Sequence, residues 1–136
     1  MKLLLLLTFI TFSSFVRADI YVVVSQDSHI ESISKSELAA LYLGRQRPVN
    51  NDIRLNPLDR EGEIRANFFE SITNMSVNQV NAYWAKLRFS GRVRPLDKFD
   101  DVALLEQKLL SNPTSIGYLE ANPENELLKV VMVIHE

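Results

Sequence analysis

The fold class that the sequence predicts is a compact α/β domain with a mixed sheet flanked by helices. Residues 20–24 (IYVVV) are an apolar, β-branched run, which is typical of a strand buried on both faces of a parallel or mixed sheet. Amphipathic helical patterns follow this run, and further strand-like segments lie between and after them. Strands that alternate with helices over this length imply one α/β domain.

The first 18 residues are predicted to be a cleaved secretory signal. Residues 3–16 carry no charge, follow Lys2, and are succeeded by a small residue at Ala18. The apolar run is shorter than the roughly 20 residues that a membrane-spanning helix needs. The alternative is an uncleaved anchor or a buried first helix. We expect residues 19–136 to form the mature domain, periplasmic or secreted, without membrane insertion after cleavage.

A capping box predicts the first helix. Ser34 and Glu37 stand three residues apart, so each side chain can satisfy a backbone N–H group of the first turn. Gly44 supplies a left-handed stop, and residues 45–52 are predicted to form a loop. The apolar face of this helix consists of Leu38, Leu41 and Tyr42.

A short strand and two more helices are predicted next. Residues 53–55 alternate like a strand and end at Asn56-Pro57. From about Gly62 the apolar spacing becomes helical, with Ile64, Phe68, Ile72 and Met75 on one face. A second capping box, Ser76 with Gln79, opens another helix, whose apolar face is Val77, Val80, Trp84 and Leu87.

The remaining elements are predicted from breaks and caps. Ser90-Gly91 ends the helix that carries Trp84. Asp100 can cap a further amphipathic helix, which Asn112-Pro113 closes. Residues 116–118 and 129–134 are predicted to be strands.

Composition excludes several classes of protein. The chain has 136 residues, 46% hydrophobic and 24% charged, as in an ordinary folded domain. Residues 19–136 carry 13 basic and 17 acidic side chains, a charge of −4 that disfavours nucleic acid and anionic membranes as partners. The absence of cysteine excludes disulfides and thiolate sites. The two histidines, His29 and His135, lack metal-ligand spacing, and no hydrolase, P-loop or zinc-protease motif occurs. We therefore expect no cofactor, no metal and no enzymatic activity.

An oxyanion site is one interpretation of the segment from Asp59 to Arg65. A strand–loop–helix junction presents free backbone N–H groups and the positive end of a helix dipole, and Arg60 and Arg65 would add charge-assisted hydrogen bonds. Glu61 and Glu63 favour the alternative, an ordinary helix start, because acidic side chains stabilise a first turn.

The polar run after the first predicted strand and the segment around Trp84 can each be interpreted in two ways. Ser25 and Ser28 follow the first strand and could donate to a ligand at the edge of the sheet, although short polar runs after strands usually form turns. Trp84 lies among arginines and aromatic residues, as in an exposed binding patch. Its helical spacing instead favours a place in the core, with Arg88, Arg92 and Arg94 outside.

Four segments together resemble the periplasmic substrate-binding proteins of phosphate-type ABC transporters. Residues 34–44 are similar to that family's helix ending in Leu-Gly, and 57–68 are similar to its strand–loop–helix element. Residues 83–91 are similar to its Trp-containing element, and 115–118 (SIGY) to a strand near the end of a lobe. The order of the four segments covers nearly all of residues 19–136.

The resemblance implies a single lobe of the type II periplasmic-binding-protein fold, with room for only one lobe in this length. It implies binding of a small oxyanion such as phosphate, by Asp59, Arg60, Gly62 and Arg65 with help from Ser25 and Ser28. Where the family has Gly-Ser-Gly-Thr, residues 61–64 read EGEI. The missing hydroxyls favour an alternative function, an interaction or structural module that binds a protein partner. A homodimer is also left open.

Overall fold

A four-stranded mixed sheet with helices on both faces forms the centre of the protein. The structure, a computed structural model, describes residues 18–45, 49, 53–91 and 93–135. Most of the predicted signal, most of the predicted loop over 45–52, and Arg92 lie outside these ranges. The elements in chain order are β1 (Ile20–Ser25), α1 (Lys35–Tyr42), β2 (Asn56–Pro57), β3 (Asp59–Arg60), α2 (Glu63–Thr73), α3 (Val77–Phe89), β4 (Lys98–Phe99), α4 (Val102–Ser111), β5 (Ser115–Leu119) and β6 (Leu128–Ile134).

The sheet has the strand order β2-β5-β1-β6 and is mixed, as predicted. Strand β1 lies antiparallel to both neighbours, with Tyr21 opposite Leu119 and Val24 opposite Ile116 of β5. Strand β2 runs parallel to β5 at the edge of the sheet. Strands β3 and β4 form a separate parallel pair of two residues each. Among the described residues, no helix combines the length and apolarity needed to cross a bilayer.

Helices cover both faces of the sheet, which explains the uninterrupted apolar run of β1. Successive side chains of a strand point to opposite faces. Val22 and Val24 pack in the larger core cluster with residues of α1, α2 and α3, whereas Val23 packs with Leu105 and Leu109 of α4. All three valines are fully buried. The α/β fold class predicted from the sequence is therefore confirmed.

Both predicted capping boxes are present. The Ser34 hydroxyl accepts a hydrogen bond from the Glu37 backbone N–H (3.2 Å), and the Glu37 carboxylate accepts one from the Ser34 N–H (2.8 Å). Ser76 and Gln79 make the same reciprocal pair at the start of α3. Gly44 follows α1 at φ +71°, where a Cβ would lie 3.0 Å from the Trp84 ring. Both the turn and the close approach of Trp84 thus require glycine.

The second strand lies later in the chain than predicted. Ile53 makes only an isolated bridge to Val49, and the pairing with β5 starts at Asn56. The backbone N–H groups of Asn56 and Leu58 donate to β5 or the residue before it, each at 2.8 Å. Pro57 lies between these two donors, so the N–H that it lacks would have pointed away from β5. Pro57 is therefore tolerated within β2, because β2 is an edge strand, whereas the sequence predicted that the strand would end at this proline.

Two helix boundaries also differ from the prediction. Asp101, and not Asp100, caps α4, because its carboxylate accepts a hydrogen bond from the Ala103 N–H at 2.9 Å. Met75 lies beyond α2, which ends when Asn74 adopts a left-handed conformation at φ +58°. Met75 still packs against the core from the turn between α2 and α3.

Candidate functional site

A buried ion pair lies where β3 leads into α2. Asp59 is 1% exposed, and its Oδ2 accepts a hydrogen bond of 2.9 Å from Nε of Arg65. Its Oδ1 accepts hydrogen bonds from the Tyr118 hydroxyl (2.6 Å) and from the Arg60 backbone N–H (2.9 Å). The carboxylate thus has three donors, which is the arrangement that makes a buried charge tolerable. The structure thus brings together Asp59 and Arg65, two of the predicted site residues, as an ion pair.

Arg60 has different side-chain partners from Arg65 and is anchored to the end of β5. Its Nη1 donates to the Tyr118 carbonyl (3.2 Å) and to a Glu120 oxygen (2.7 Å), and its Nη2 donates to the other Glu120 oxygen (3.3 Å). This hydrogen bonding lowers the pKa of the Glu120 carboxyl. The Arg60 Nε is buried and has no partner in the described part of the chain.

Aromatic side chains pack together next to the ion pair. The Tyr118 ring stacks on Phe68 with centroids 3.7 Å apart, and Tyr42 meets both rings edge-on. The Tyr42 hydroxyl donates to the Leu58 carbonyl at 2.8 Å. Burial, followed by the nearby charge of Asp59, raises the pKa of Tyr42 and of Tyr118 well above the ordinary value. Both phenols therefore act as hydrogen-bond donors.

Gly62 is the N-cap of α2 and has φ +92°, ψ −165°, a conformation that is essentially restricted to glycine. Among the described residues, no side chain caps this helix end. The first N–H groups of a helix have no intrahelical acceptor, so the positive end of the α2 dipole is open to the surface beside β3. Gly62 is exposed, unlike Arg60 and Arg65.

Ser25 and Ser28 lie at the other end of the sheet from this cluster. Val22 pairs with Tyr118, and Ser25 is three residues further along β1, a distance of about 10 Å. The Ser25 and Ser28 hydroxyls accept hydrogen bonds from the backbone N–H groups two residues ahead, each at 3.2 Å. Because β1 and β5 are antiparallel, the carboxyl end of one meets the amino end of the other. The two serines and the Asp59 cluster therefore do not form one site.

A small cavity of about 290 Å³ opens beside the ion pair. Arg65 lines it, fixed by Asp59 and by a 2.8 Å hydrogen bond from its Nη1 to the Asn81 side chain. Arg88 of α3 and Lys98 of β4 also line it; both are exposed and make no ion pair within the described ranges. Among the described lining residues, three cations thus accompany one carboxylate, that of Asp59, whose charge is already balanced by Arg65. We call this space the small cavity.

Sequence reasoning missed several members of this site. Tyr118 was predicted only as a strand residue, and Glu120 was not singled out. Asn81 and Lys98 had no motif to mark them, because a helix and a remote two-residue strand bring them to the cavity. Trp84 is buried at 7% exposure, with Arg88 and Arg94 exposed, as its helical spacing predicts. Within the described part of the chain, no three acidic or histidine side chains are grouped as metal ligands.

The Asp59–Arg65 pair is expected to be important for stability. Asp59→Asn leaves the Arg65 guanidinium buried without a counter-charge, so we expect the free energy of unfolding to fall by about 3–5 kcal/mol. Urea unfolding followed by circular dichroism measures this loss. The control is Glu31→Gln, which removes an exposed pair with Lys129 and should cost less than about 1 kcal/mol. Equal losses in the two variants would contradict the importance of the buried pair.

Alkaline pH is expected to destabilise the fold through Tyr42 and Tyr118. Their pKa values are higher in the folded than in the unfolded chain, so the stabilisation is complete below the ordinary tyrosine pKa of about 10 and declines as the pH rises above it. Urea unfolding between about pH 9 and about pH 11 tests this. Tyr42→Phe should lower the free energy of unfolding at every pH, but this free energy should then fall less steeply as the pH rises. An equally steep fall in the variant and the wild type would refute the role given to Tyr42.

Comparison with known proteins identifies the fold. No protein-family model and no curated protein matches the chain. A structure described as a phosphate ABC transporter substrate-binding protein from Clostridium perfringens, with bound phosphate, aligns with a TM-score of 0.63 and 13% identity. A structure described as an ABC-type phosphate transport receptor from Vibrio cholerae aligns with a TM-score of 0.59 and 14% identity.

These likenesses cover most of this chain but a smaller part of its neighbours. The alignments include 84% of this chain, and 45% and 46% of the two neighbours, so the chain spans less than half of their length. At this level of identity the comparison shows the fold alone. The described chain has the α/β fold of a single lobe of these substrate-binding proteins.

Proposed function

We propose that this chain is a solute-binding lobe that takes a small oxyanion, phosphate in the first instance, in the small cavity. The observation that carries the proposal is that Arg65, Arg88 and Lys98 line one cavity of about 290 Å³. The likeness in fold to two structures described as phosphate-transport proteins supports it, one of them with phosphate bound.

The charges in the small cavity suit an anion. Asp59 offers little repulsion because its oxygens are occupied by Arg65, Tyr118 and a backbone N–H. Arg88 and Lys98 remain available to an incoming ligand. The Arg88 guanidinium offers a planar set of donors that suits two phosphate oxygens, whereas the Lys98 ammonium acts as a point charge.

The fixed position of Arg65 also favours anion binding in the small cavity. Its guanidinium is held by Asp59 and Asn81 and lies over the Phe69 ring, with 5.1 Å from Cζ to the ring centroid. A fixed cation loses little side-chain entropy when a ligand binds. Asp59 and Arg65, predicted as ligand-binding residues, are therefore retained in the proposed site.

The other predicted site residues have different proposed roles. Arg60 acts as a positioning residue, because its bonds to Glu120 and Tyr118 tie β3 to β5. Gly62 leaves the positive end of α2 uncapped close to Asp59 and so contributes to the local potential. Ser25 and Ser28 are left out, since they lie at the opposite end of the sheet.

The proposal includes export of the chain. The signal-like residues 1–18 support removal of a leader and a mature chain that starts at Asp19. Delivery of the bound anion to a transporter belongs to the same proposal, because both neighbours are described as parts of phosphate ABC transport.

Phosphate titration of the purified protein tests the proposed site. Trp84 is the only tryptophan of the chain and lines the small cavity, so its fluorescence reports on the ligand directly. We expect saturable phosphate binding at constant ionic strength, and a loss of about tenfold in affinity in Arg88→Gln or Lys98→Gln, since each removes a charge-assisted hydrogen bond. Calorimetry provides an independent dissociation constant.

The matched control is Lys108→Gln, which removes an exposed positive charge from α4 on the other face of the sheet. This variant should bind phosphate like the wild type. Absence of a response to millimolar phosphate, or equal weakening by the control, would exclude the small cavity as the site.

A further inference from the structure

A second and larger cavity, of about 520 Å³, lies between the end of α1, strand β2 and the segment 93–97. We call it the large cavity. Its volume is within the range of about 300–1,000 Å³ that is usual for sites of small organic ligands. Its apolar lining includes Leu41, Leu55, Trp84, Val93 and Leu96.

Three arginines of the described part of the chain line the same cavity. Arg45 follows α1, Arg54 precedes β2, and Arg94 lies in the segment before β4; all three are exposed. Within the described residues none of them has an ion pair or a side-chain hydrogen bond. The one carboxylate among the described lining residues is that of Asp97. Among the described residues, the cavity thus combines an apolar wall with a polar one that carries two more positive than negative charges.

The apolar wall is fixed in place by close packing. Trp84 is 7% exposed, and a Cβ on Gly44 would lie 3.0 Å from its ring. Gly44 also lines the large cavity. The tryptophan therefore has no room to turn towards α1, and the wall is formed before any ligand arrives.

The lining indicates a ligand different from inorganic phosphate. A bare oxyanion would leave the half-buried side chains of Leu55, Val93 and Leu96 partly in water. Placing the ion against these side chains would remove part of its hydration without compensating hydrogen bonds. An anion with an apolar substituent satisfies both parts of the cavity, because the substituent buries apolar surface while the arginines hold the charge.

We propose that the large cavity binds a small organic oxyanion, such as an alkyl phosphate, whose charged group contacts Arg54 and Arg94 and whose apolar body lies against Trp84. This site is separate from the proposed phosphate site, although Trp84, Pro95 and Leu96 line both cavities. The shared tryptophan allows one fluorescence signal to follow both ligands.

Hexyl phosphate is the probe that tests this inference, because it contains no chromophore that would interfere with Trp84. Inorganic phosphate is the matched control for the charged group of hexyl phosphate, and 1-hexanol is the matched control for its alkyl chain. We expect the hexyl phosphate binding that depends on Arg54 and Arg94 to be at least about tenfold tighter than any binding of inorganic phosphate that depends on the same two arginines, since several methylene groups are buried. Equal affinity of the two phosphates for the site that depends on Arg54 and Arg94, or binding of 1-hexanol as tight as that of hexyl phosphate, would overturn the proposal.

Arginine variants locate the site. Arg54→Gln and Arg94→Gln should each weaken hexyl phosphate about tenfold and leave the affinity for inorganic phosphate unchanged. Lys108→Gln, again the control, should change neither. Because these side chains are exposed, circular dichroism should show an intact fold in all variants. Wild-type affinity for hexyl phosphate in both arginine variants would overturn the proposal.

The two proposals fail separately. Binding of hexyl phosphate that depends on Arg54 supports the large cavity even if inorganic phosphate does not bind, a result that contradicts only the proposed function of the small cavity. Weakening of hexyl phosphate in Arg88→Gln but not in Arg54→Gln would place it in the small cavity and overturn the inference.

Discussion

The buried carboxylate of Asp59 links the sheet, the helices and the candidate site. One oxygen holds Arg65 at the start of α2, and the other accepts a hydrogen bond from Tyr118 in β5. Removing Asp59 or one of its partners would leave a buried charge or a buried phenol hydroxyl without a hydrogen-bond partner. The free-energy cost of such an unpaired group is far larger than the stabilisation that an exposed ion pair provides. This requirement fixes the junction between β3 and α2, and with it the direction in which Arg65 faces.

The same constraint separates two kinds of arginine. Arg60 and Arg65 are buried and engaged by carboxylates, so they shape the site more than they attract a ligand over a distance. Arg54, Arg88 and Arg94 are exposed and make no ion pair in the described ranges, so their charge is available to anions. Although the whole chain is acidic, its middle section gathers positive charge around Trp84, where the two cavities adjoin.

The sequence allowed most of the fold to be predicted, because β1, the capping boxes at Ser34 and Ser76, and the terminal strands have strong local signals. The edge strand at Pro57 was misplaced, since acceptance of proline depends on which side of β2 faces β5. The site was only partly predictable. Local pattern marked Arg60 and Arg65, and the family resemblance added Asp59. The strand directions, which place Ser25 at the other end of the sheet, depend on tertiary pairing that local pattern does not reveal. Lys98 reaches the small cavity only because β4 pairs with β3.

Nuclear magnetic resonance with phosphate tests the central claim most directly, namely that a small oxyanion binds beside the buried ion pair. The side-chain signals of Arg65 and Asn81 should shift together and saturate as phosphate is added, because both groups line the small cavity. The backbone amides of Ser25 and Ser28, at the other end of the sheet, should stay in place. Shifts centred on the two serines, or none at Arg65 and Asn81 at saturating phosphate, would contradict the proposed site.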